Sequence, residues 1–248
     1  MNMLANLTTD DSIASEKDSV GGGSSPLASG LYPMTVAMAH INISAGGATG
    51  LVLSLKTEDN KEVRQTLWMT SGTAKGGKNY YEKDGVKNYL PGFLLAQSLC
   101  LLAAGKEVSA VDIEDKVINL YNFDAKAEVP TKVKVVMDLL NKPVLVGMIK
   151  QTVDKNVKND AGVYVASGET REENEIDKLF HAESRLTTAE IKAKAEEPSF
   201  VNTWAAKHTG VTRNKAKGAA AGGTAGAPRL AGASGAPAVA KPKSSLFA

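Results

Sequence analysis

From Leu51 to Lys56 the chain alternates strictly, with Leu51, Leu53 and Leu55 on one parity and Val52, Ser54 and Lys56 on the other. A period of two is that of a half-buried strand. Turn signals bound it on both sides: Ala45-Gly46-Gly47-Ala48-Thr49-Gly50 before, Glu58-Asp59-Asn60-Lys61 after. Leu31 to Ser44 alternates more loosely. Val36, Met38, His40 and Asn42 share a parity, and Tyr32, Val36, Ile41 and Ile43 favour strand. With Glu62 to Met69 as a third strand, the sequence predicts an antiparallel meander.

A polar loop, Thr70 to Leu90, then leads to Pro91, a residue suited to the first position of a helix. The helix runs Pro91 to Ala104, and Gly105 stands where a left-handed C′ residue belongs. Residues 106–131 favour neither helix nor strand. Val133 to Met137, Pro143 to Val153 and Val163 to Ser167 read as strands, the last two joined by a turn over Asp154 to Gly162. Strand, strand, strand, helix, strand, strand is the order of a five-stranded OB-fold barrel, and a plain α+β sheet is the alternative. The fold expected is therefore mainly β with helices, an OB-fold-like barrel over residues 29–168.

A helical appendage is expected over 169–213. Glu169 to His181 places Ile176, Leu179 and Phe180 at helical spacing, with Glu172, Glu173 and Glu175 at its acidic start. Thr187 and Glu190 form a capping box for the next helix, and Pro198 opens a third with Val201 and Trp204 on its buried side. Residues 1–28, acidic and ending near Gly21-Gly22-Gly23-Ser24-Ser25, and 214–248, basic and rich in Ala, Gly and Pro, lack the apolar groups to offset the entropy of ordering and are expected to be disordered.

Hydrophobic residues make up 43% of the 248, enough for a sizeable core. The formal charge of +2 excludes a histone-like polybasic chain, but its distribution is uneven: −3 over 1–29, +2 over 30–168, −4 over 169–197 and +7 over 198–248. One cysteine, Cys100, excludes an intrachain disulfide and fits a reducing compartment. No apolar run is long enough to span a bilayer, and the acidic N-terminus is unlike a signal peptide. A soluble intracellular protein without membrane association is expected.

Gly72-Thr73-Ala74-Lys75-Gly76-Gly77-Lys78-Asn79 approaches phosphate-loop spacing, but Asn79 replaces the magnesium-binding hydroxyl and the residues after it read as a hairpin. Another chemistry fits this segment better. Arg64, Lys75, Lys78, Lys83 and Lys87 interleave with Trp68, Tyr80, Tyr81 and Tyr89, opposed only by Glu82 and Asp84. Single-stranded nucleic acid needs cations for its phosphates and flat faces for its unstacked bases. The five cations are candidate phosphate contacts and the four aromatics candidate stacking platforms. The plain alternative is a solvated loop whose aromatics fold back on the core. Tyr121 and Phe123, two apart, and Tyr164 could stack bases or pack the core. Asp112, Glu114 and Asp115 have no histidine near them and read as a solvated turn, with weak magnesium binding as the alternative. The sequence offers no catalytic constellation, no metal set among His40, His181 and His208, and no cofactor motif, so no enzyme activity and no cofactor are expected.

Ser29-Gly30-Leu31-Tyr32 opening a strand, the basic aromatic loop, Asn141-Lys142-Pro143-Val144-Leu145-Val146-Gly147, Gly168-Glu169, the string from Glu172 to His181 and Thr188-Ala189-Glu190 together resemble phage-encoded single-stranded DNA-binding proteins. The likeness covers about residues 29 to 215. It implies an OB-fold, sequence-independent binding of single strands in DNA replication, recombination and repair, no catalysis, and a place in the cytoplasm of the infected host cell. Phage replication or recombination proteins would be further partners, and a homo-oligomer is compatible with it. One departure concerns the end of the chain, Lys241-Pro242-Lys243-Ser244-Ser245-Leu246-Phe247-Ala248, where many single-strand binders carry acids. The other function compatible with the pattern is a non-enzymatic virion structural or assembly protein.

Overall fold

The structure, a computed structural model, describes residues 25–122, 125–159 and 163–217. Ten strands and three helices follow in the order β1 (Gly30–Ile43), β2 (Thr49–Thr57), β3 (Glu62–Trp68), β4 (Tyr80–Lys83), β5 (Val86–Tyr89), α1 (Pro91–Ala104), β6 (Ile113–Asn122), β7 (Ala127–Val136), β8 (Pro143–Lys158), β9 (Tyr164–Phe180), α2 (Thr188–Lys192), α3 (Phe200–His208) and β10 (Thr212–Asn214). The fold is mainly β in the α+β class.

β1 organises the main sheet. One edge carries β2 from Met34↔Thr57 to Ile43↔Thr49. The other edge carries β8 along Gly30–Thr35 and then β7 at His40 and Ile41. The path is β10-β8-β1-β2-β3, with β9 on β8 and β6 on β7. The expected barrel is not closed: no backbone ladder joins β3 to β9 among the described residues. A side chain stands there instead, Ile176 N donating to Gln65 Oε1 at 2.7 Å.

A bulge between Val36 and Met38 explains the loose alternation of β1. Val36, Ala39 and Ile41 join the core cluster, whereas Met38, His40 and Asn42 lie on the opposite, outer face. The parity shared by Val36 with Met38, His40 and Asn42 in the sequence is broken there. Leu51, Leu53 and Leu55 are buried as expected, facing Ala96, Leu99, Cys100 and Leu102 of α1. Helix α1 starts at Pro91 and ends at Gly105 with φ +67°, both as the sequence predicts.

Residues 106–131 resolve into β6 and the start of β7, a ten-pair hairpin from Ile113↔Val136 to Asn122↔Ala127. The expected helix over Glu169–His181 is instead part of β9. Leu179 packs in the main core and Phe180 in a second cluster with Leu145, Ile149, Val201 and Trp204. A strand buried on both faces shows no period of two, and apolar residues at 176, 179 and 180 imitate a helical stripe. His181, expected at a helix end, follows this strand.

Helix α2 starts at its expected cap, whereas α3 starts at Phe200, two residues after the expected Pro198. Thr187 accepts from Glu190 N and Glu190 reaches back to Thr187 N, a complete capping box. The same carboxylate ties α2 to α3, accepting from Ser199 N, Ser199 Oγ and Phe200 N at 2.8–3.0 Å. Trp204 of α3 lies against Gly147, where a Cβ would come within 2.9 Å of the ring, and its indole N–H donates to Asp177 Oδ2 at 2.8 Å. Arg213 of β10 donates to the other oxygen of Asp177 at 2.8 Å.

The ordered chain extends past both expected boundaries. Leu27 N donates to Asn174 Oδ1, and Lys215 N donates to Thr152 O. Residues 1–24 and 218–248, which hold most of the expected tails, lie outside the described residues. Residues Val153–Arg171, with 216 and 217, belong to a second compact unit. There Lys155 pairs with Glu169 at 2.7 Å and Lys217 N donates to Asp154. Tyr164, also in this unit, is exposed, with Lys158 Nζ 5.4 Å from its ring centroid.

The Glu190 carboxyl generates a stability prediction. Burial alone raises its pKa, but the N–H groups of Phe200, Thr187 and Ser199 and the Ser199 hydroxyl together bring it down from 4.5 to about 2. A depressed folded-state value contributes stability above pH 4.5 that is lost as pH falls toward 2. Glu190→Gln should lower stability at neutral pH by about 1–3 kcal/mol. In thermal melts the gap between wild type and variant should close as the pH is taken from 5 down toward 2.

Candidate nucleic-acid interface

Two turns are fastened together at one end of the meander. Thr73 N donates to Gly46 O at 2.9 Å, and Gly72 lies so close to that carbonyl that a Cβ would approach to 2.6 Å. Ser71 N donates to Lys78 O and Lys78 N to Ser71 Oγ, closing the glycine segment on itself. Gly76 and Gly77 have φ of +81° and +60°, a left-handed path open to glycine at little cost. A single 3₁₀ turn, Thr73–Lys75, leaves Lys75 exposed. The segment feeds β4, so the expected hairpin is present.

β4 and β5 pair from Tyr80↔Tyr89 to Lys83↔Val86 around Asp84-Gly85, both at positive φ. Opposite residues share a face, so Tyr80, Tyr89, Glu82 and Lys87 stand on one side and Tyr81, Asn88, Lys83 and Val86 on the other. Lys78 Nζ lies 5.5 Å and Lys87 Nζ 5.2 Å from the Tyr80 ring centroid. Tyr89 is 55% exposed and its ring meets Phe93 of α1 at 5.0 Å. The structure thus brings together Lys78, Tyr80, Lys87 and Tyr89 and places Tyr81 and Lys83 on the opposite face.

Arg64 and Trp68 lie on the outer face of β3. Trp68 is 41% exposed and is no core residue. Its ring rests on β2 at Gly50, its ladder partner, where a Cβ would come within 2.8 Å of the indole. Gly92 of α1 meets the Trp68 backbone more closely still, a Cβ there falling 2.2 Å from its carbonyl oxygen. The rows across this face read Asn42–Gly50–Trp68, His40–Val52–Thr66 and Met38–Ser54–Arg64. Arg64 is ion-paired loosely with Glu62 at 3.9 Å, both ends largely exposed, a contact of little energetic weight.

His40, Asn42 and Phe93 were not among the residues the sequence singled out for this surface. The bulge hid the first two, and Phe93 read as core. His40 is 5% exposed, and its Nδ1 has no hydrogen-bond partner among the described residues. Burial first, and the Arg64 charge second, lower its pKa, so it is neutral at pH 7. Tyr121 is exposed on the β6–β7 hairpin, and Phe123 lies outside the described residues. Asp115 is paired with Lys132 and Lys134 across that hairpin. Burial pushes the Cys100 thiol up to about 12, leaving it unreactive. Among the described residues no three His, Cys, Asp or Glu side chains converge as a metal set, and no helix is long and apolar enough to cross a membrane.

The chain matches no protein-family model, and no curated protein matches it.

The seating of Trp68 is open to test. In Gly50→Ala the added methyl would force the indole off β2. Tryptophan fluorescence should become more accessible to acrylamide, with Trp204, 4% exposed, as the protected background. Unchanged quenching would show that the ring does not depend on Gly50.

Proposed function

We propose that the protein binds single-stranded DNA without sequence preference, in the manner of phage-encoded single-stranded DNA-binding proteins. Its setting would be phage DNA replication, recombination and repair in the infected host cytoplasm. The observation that carries this reading is the β4–β5 face, where Tyr80 and Tyr89 stand opposite each other with Lys78 and Lys87 within 5.5 Å of the Tyr80 ring centroid. Flat faces beside cations answer the two needs of an unstacked strand, base stacking and phosphate neutralisation. The exposed indole of Trp68 and the guanidinium of Arg64 extend the same chemistry onto β3.

The strand path supports the reading at the level of fold. Taken as β3-β2-β1-β8-β9, it has the order of an OB-fold opened between its third and fifth strands, with α1 and the hairpins β4–β5 and β6–β7 inserted before the fourth. We assign the chain to this architecture as part of the proposal. The role is binding, with no chemical step.

Affinity for oligo-dT should fall as salt rises, with log K linear in log salt. A flat salt response in a filter or fluorescence titration would remove the phosphate track.

The faces of the hairpin separate its residues. Tyr80→Ala and Tyr89→Ala should each cost about 1–3 kcal/mol of affinity on every sequence while leaving the salt slope unchanged. Tyr81→Ala, on the opposite face, should cost less than either. Lys87→Ala should lower the salt slope by up to about one. Equal losses for all three tyrosines at matched stability would show that the strand does not select this face.

A further inference from the structure

Between α1, the ends of β1 and β2 and the base of the β6–β7 hairpin lies an open cleft of about 550 Å³. Pockets that hold small ligands span roughly 300–1,000 Å³, so the space suits one ring system with a substituent. Its walls are apolar, formed by Ile41, Leu51, Phe93, Val111, Ile113 and Val136.

Its polar side chains are Thr49, Thr70, Asn79 and two lysines. Lys78 and Asn79 line it from the glycine segment, and Lys134 lines it from β7. No carboxylate is among the described residues that line it. Lys134 is held by Asp115 at 3.1 Å. The backbone carbonyl of Asn79 accepts from Leu90 N, while its carboxamide has no protein partner among the described residues. An apolar slot with one free amide and cations at its mouth matches a planar heterocycle that carries a phosphate. A purely apolar peptide would offer no partner to the Asn79 amide or to the Lys78 ammonium.

The cleft is continuous with the aromatic hairpin. Phe93 forms part of its wall and meets Tyr89 at 5.0 Å, and Lys78 belongs both to the cleft and to the Tyr80 ring. We infer that the cleft takes a single unstacked nucleobase of the bound strand, its edge on the Asn79 carboxamide and its phosphate toward Lys78 and Lys134. This rests on the single-strand reading and adds a pocket that holds one base at the end of the stacking track.

The test uses the full-length protein labelled at isoleucine methyls and titrated with dTMP. Ile41 and Ile113 line the cleft, while Ile149 and Ile176 are buried in the two cores and serve as references. Saturable shifts at Ile41 and Ile113, with Ile149 and Ile176 unmoved, are expected. Asn79→Ala should weaken dTMP binding about tenfold. Ile113→Trp fills the cleft from a side chain that is 47% exposed, so the fold should tolerate it, and it should abolish the shift at Ile41.

Deoxyribose 5-phosphate is the control. Equal shifts from it would show a phosphate site without base recognition and overturn the inference. So would shifts confined to other residues, or an apolar peptide that moves Ile41 and Ile113 when dTMP does not. Oligo-dT binding, measured in parallel, separates the two claims. Normal oligo-dT binding with no dTMP shift sinks the cleft and leaves the single-strand reading standing. Loss of oligo-dT binding in the wild type, with the dTMP shifts present, sinks the single-strand reading and leaves a mononucleotide pocket.

Discussion

The bulge between Val36 and Met38 decides how the rest of the sheet is built. A strand without it would keep one parity on each face, and Met38, His40 and Asn42 would follow Val36 into the core. With it, Gly30–Thr35 pairs with β8 and His40 and Ile41 with β7, while β2 holds the opposite edge from Met34 to Ile43. β1 therefore has ladders on both edges and contributes to the core on both sides of the irregularity. The arrangement also leaves His40 nearly buried, its Nδ1 without a partner among the described residues, and burial there favours the neutral ring.

The parts of the fold that the sequence disclosed are those whose signals are local. Leu51, Leu53 and Leu55 between two turns, Pro91 and Gly105 at the ends of a helix, and Thr187 with Glu190 at the start of another each specify structure within a few residues. What stayed hidden depends on distant partners. The string ending in Leu179 and Phe180 is a strand because Trp204 and Val201, more than twenty residues later, cover one side while the main core covers the other. The β6–β7 hairpin lacks a turn dipeptide and mixes charge with apolar residues along both strands. Neither period dominates there, so composition could not separate helix from strand.

For the candidate surface, the sequence supplied the residue types, while only the register divides them. Tyr80 and Tyr81 are neighbours in the chain yet face opposite ways, and Tyr80 instead stands with Tyr89 and Lys87. Trp68 was ambiguous between core and surface. Its ring lies against Gly50, a residue that reads in the sequence merely as the end of a turn. Phe93 likewise read as helix interior, although it meets the hairpin through Tyr89.

Ser29 is buried just before β1, and three long-range bonds meet there. Its hydroxyl donates to Val211 O and accepts from Lys150 N, and its carbonyl accepts from Gly210 N. Val211 lies 182 positions further along the chain. On a ribosome adding about 5–20 residues per second, Val211 emerges roughly 10–40 s after Ser29 itself. Pro143–Met148 of β8 is made well before Val211, and until it emerges the edge of β1 that later holds it is an open template for pairing. The nascent protein must pass through a stage in which its central strand is exposed along one side. Fidelity of folding is thus set by how that edge is kept from other strands until β8 is made.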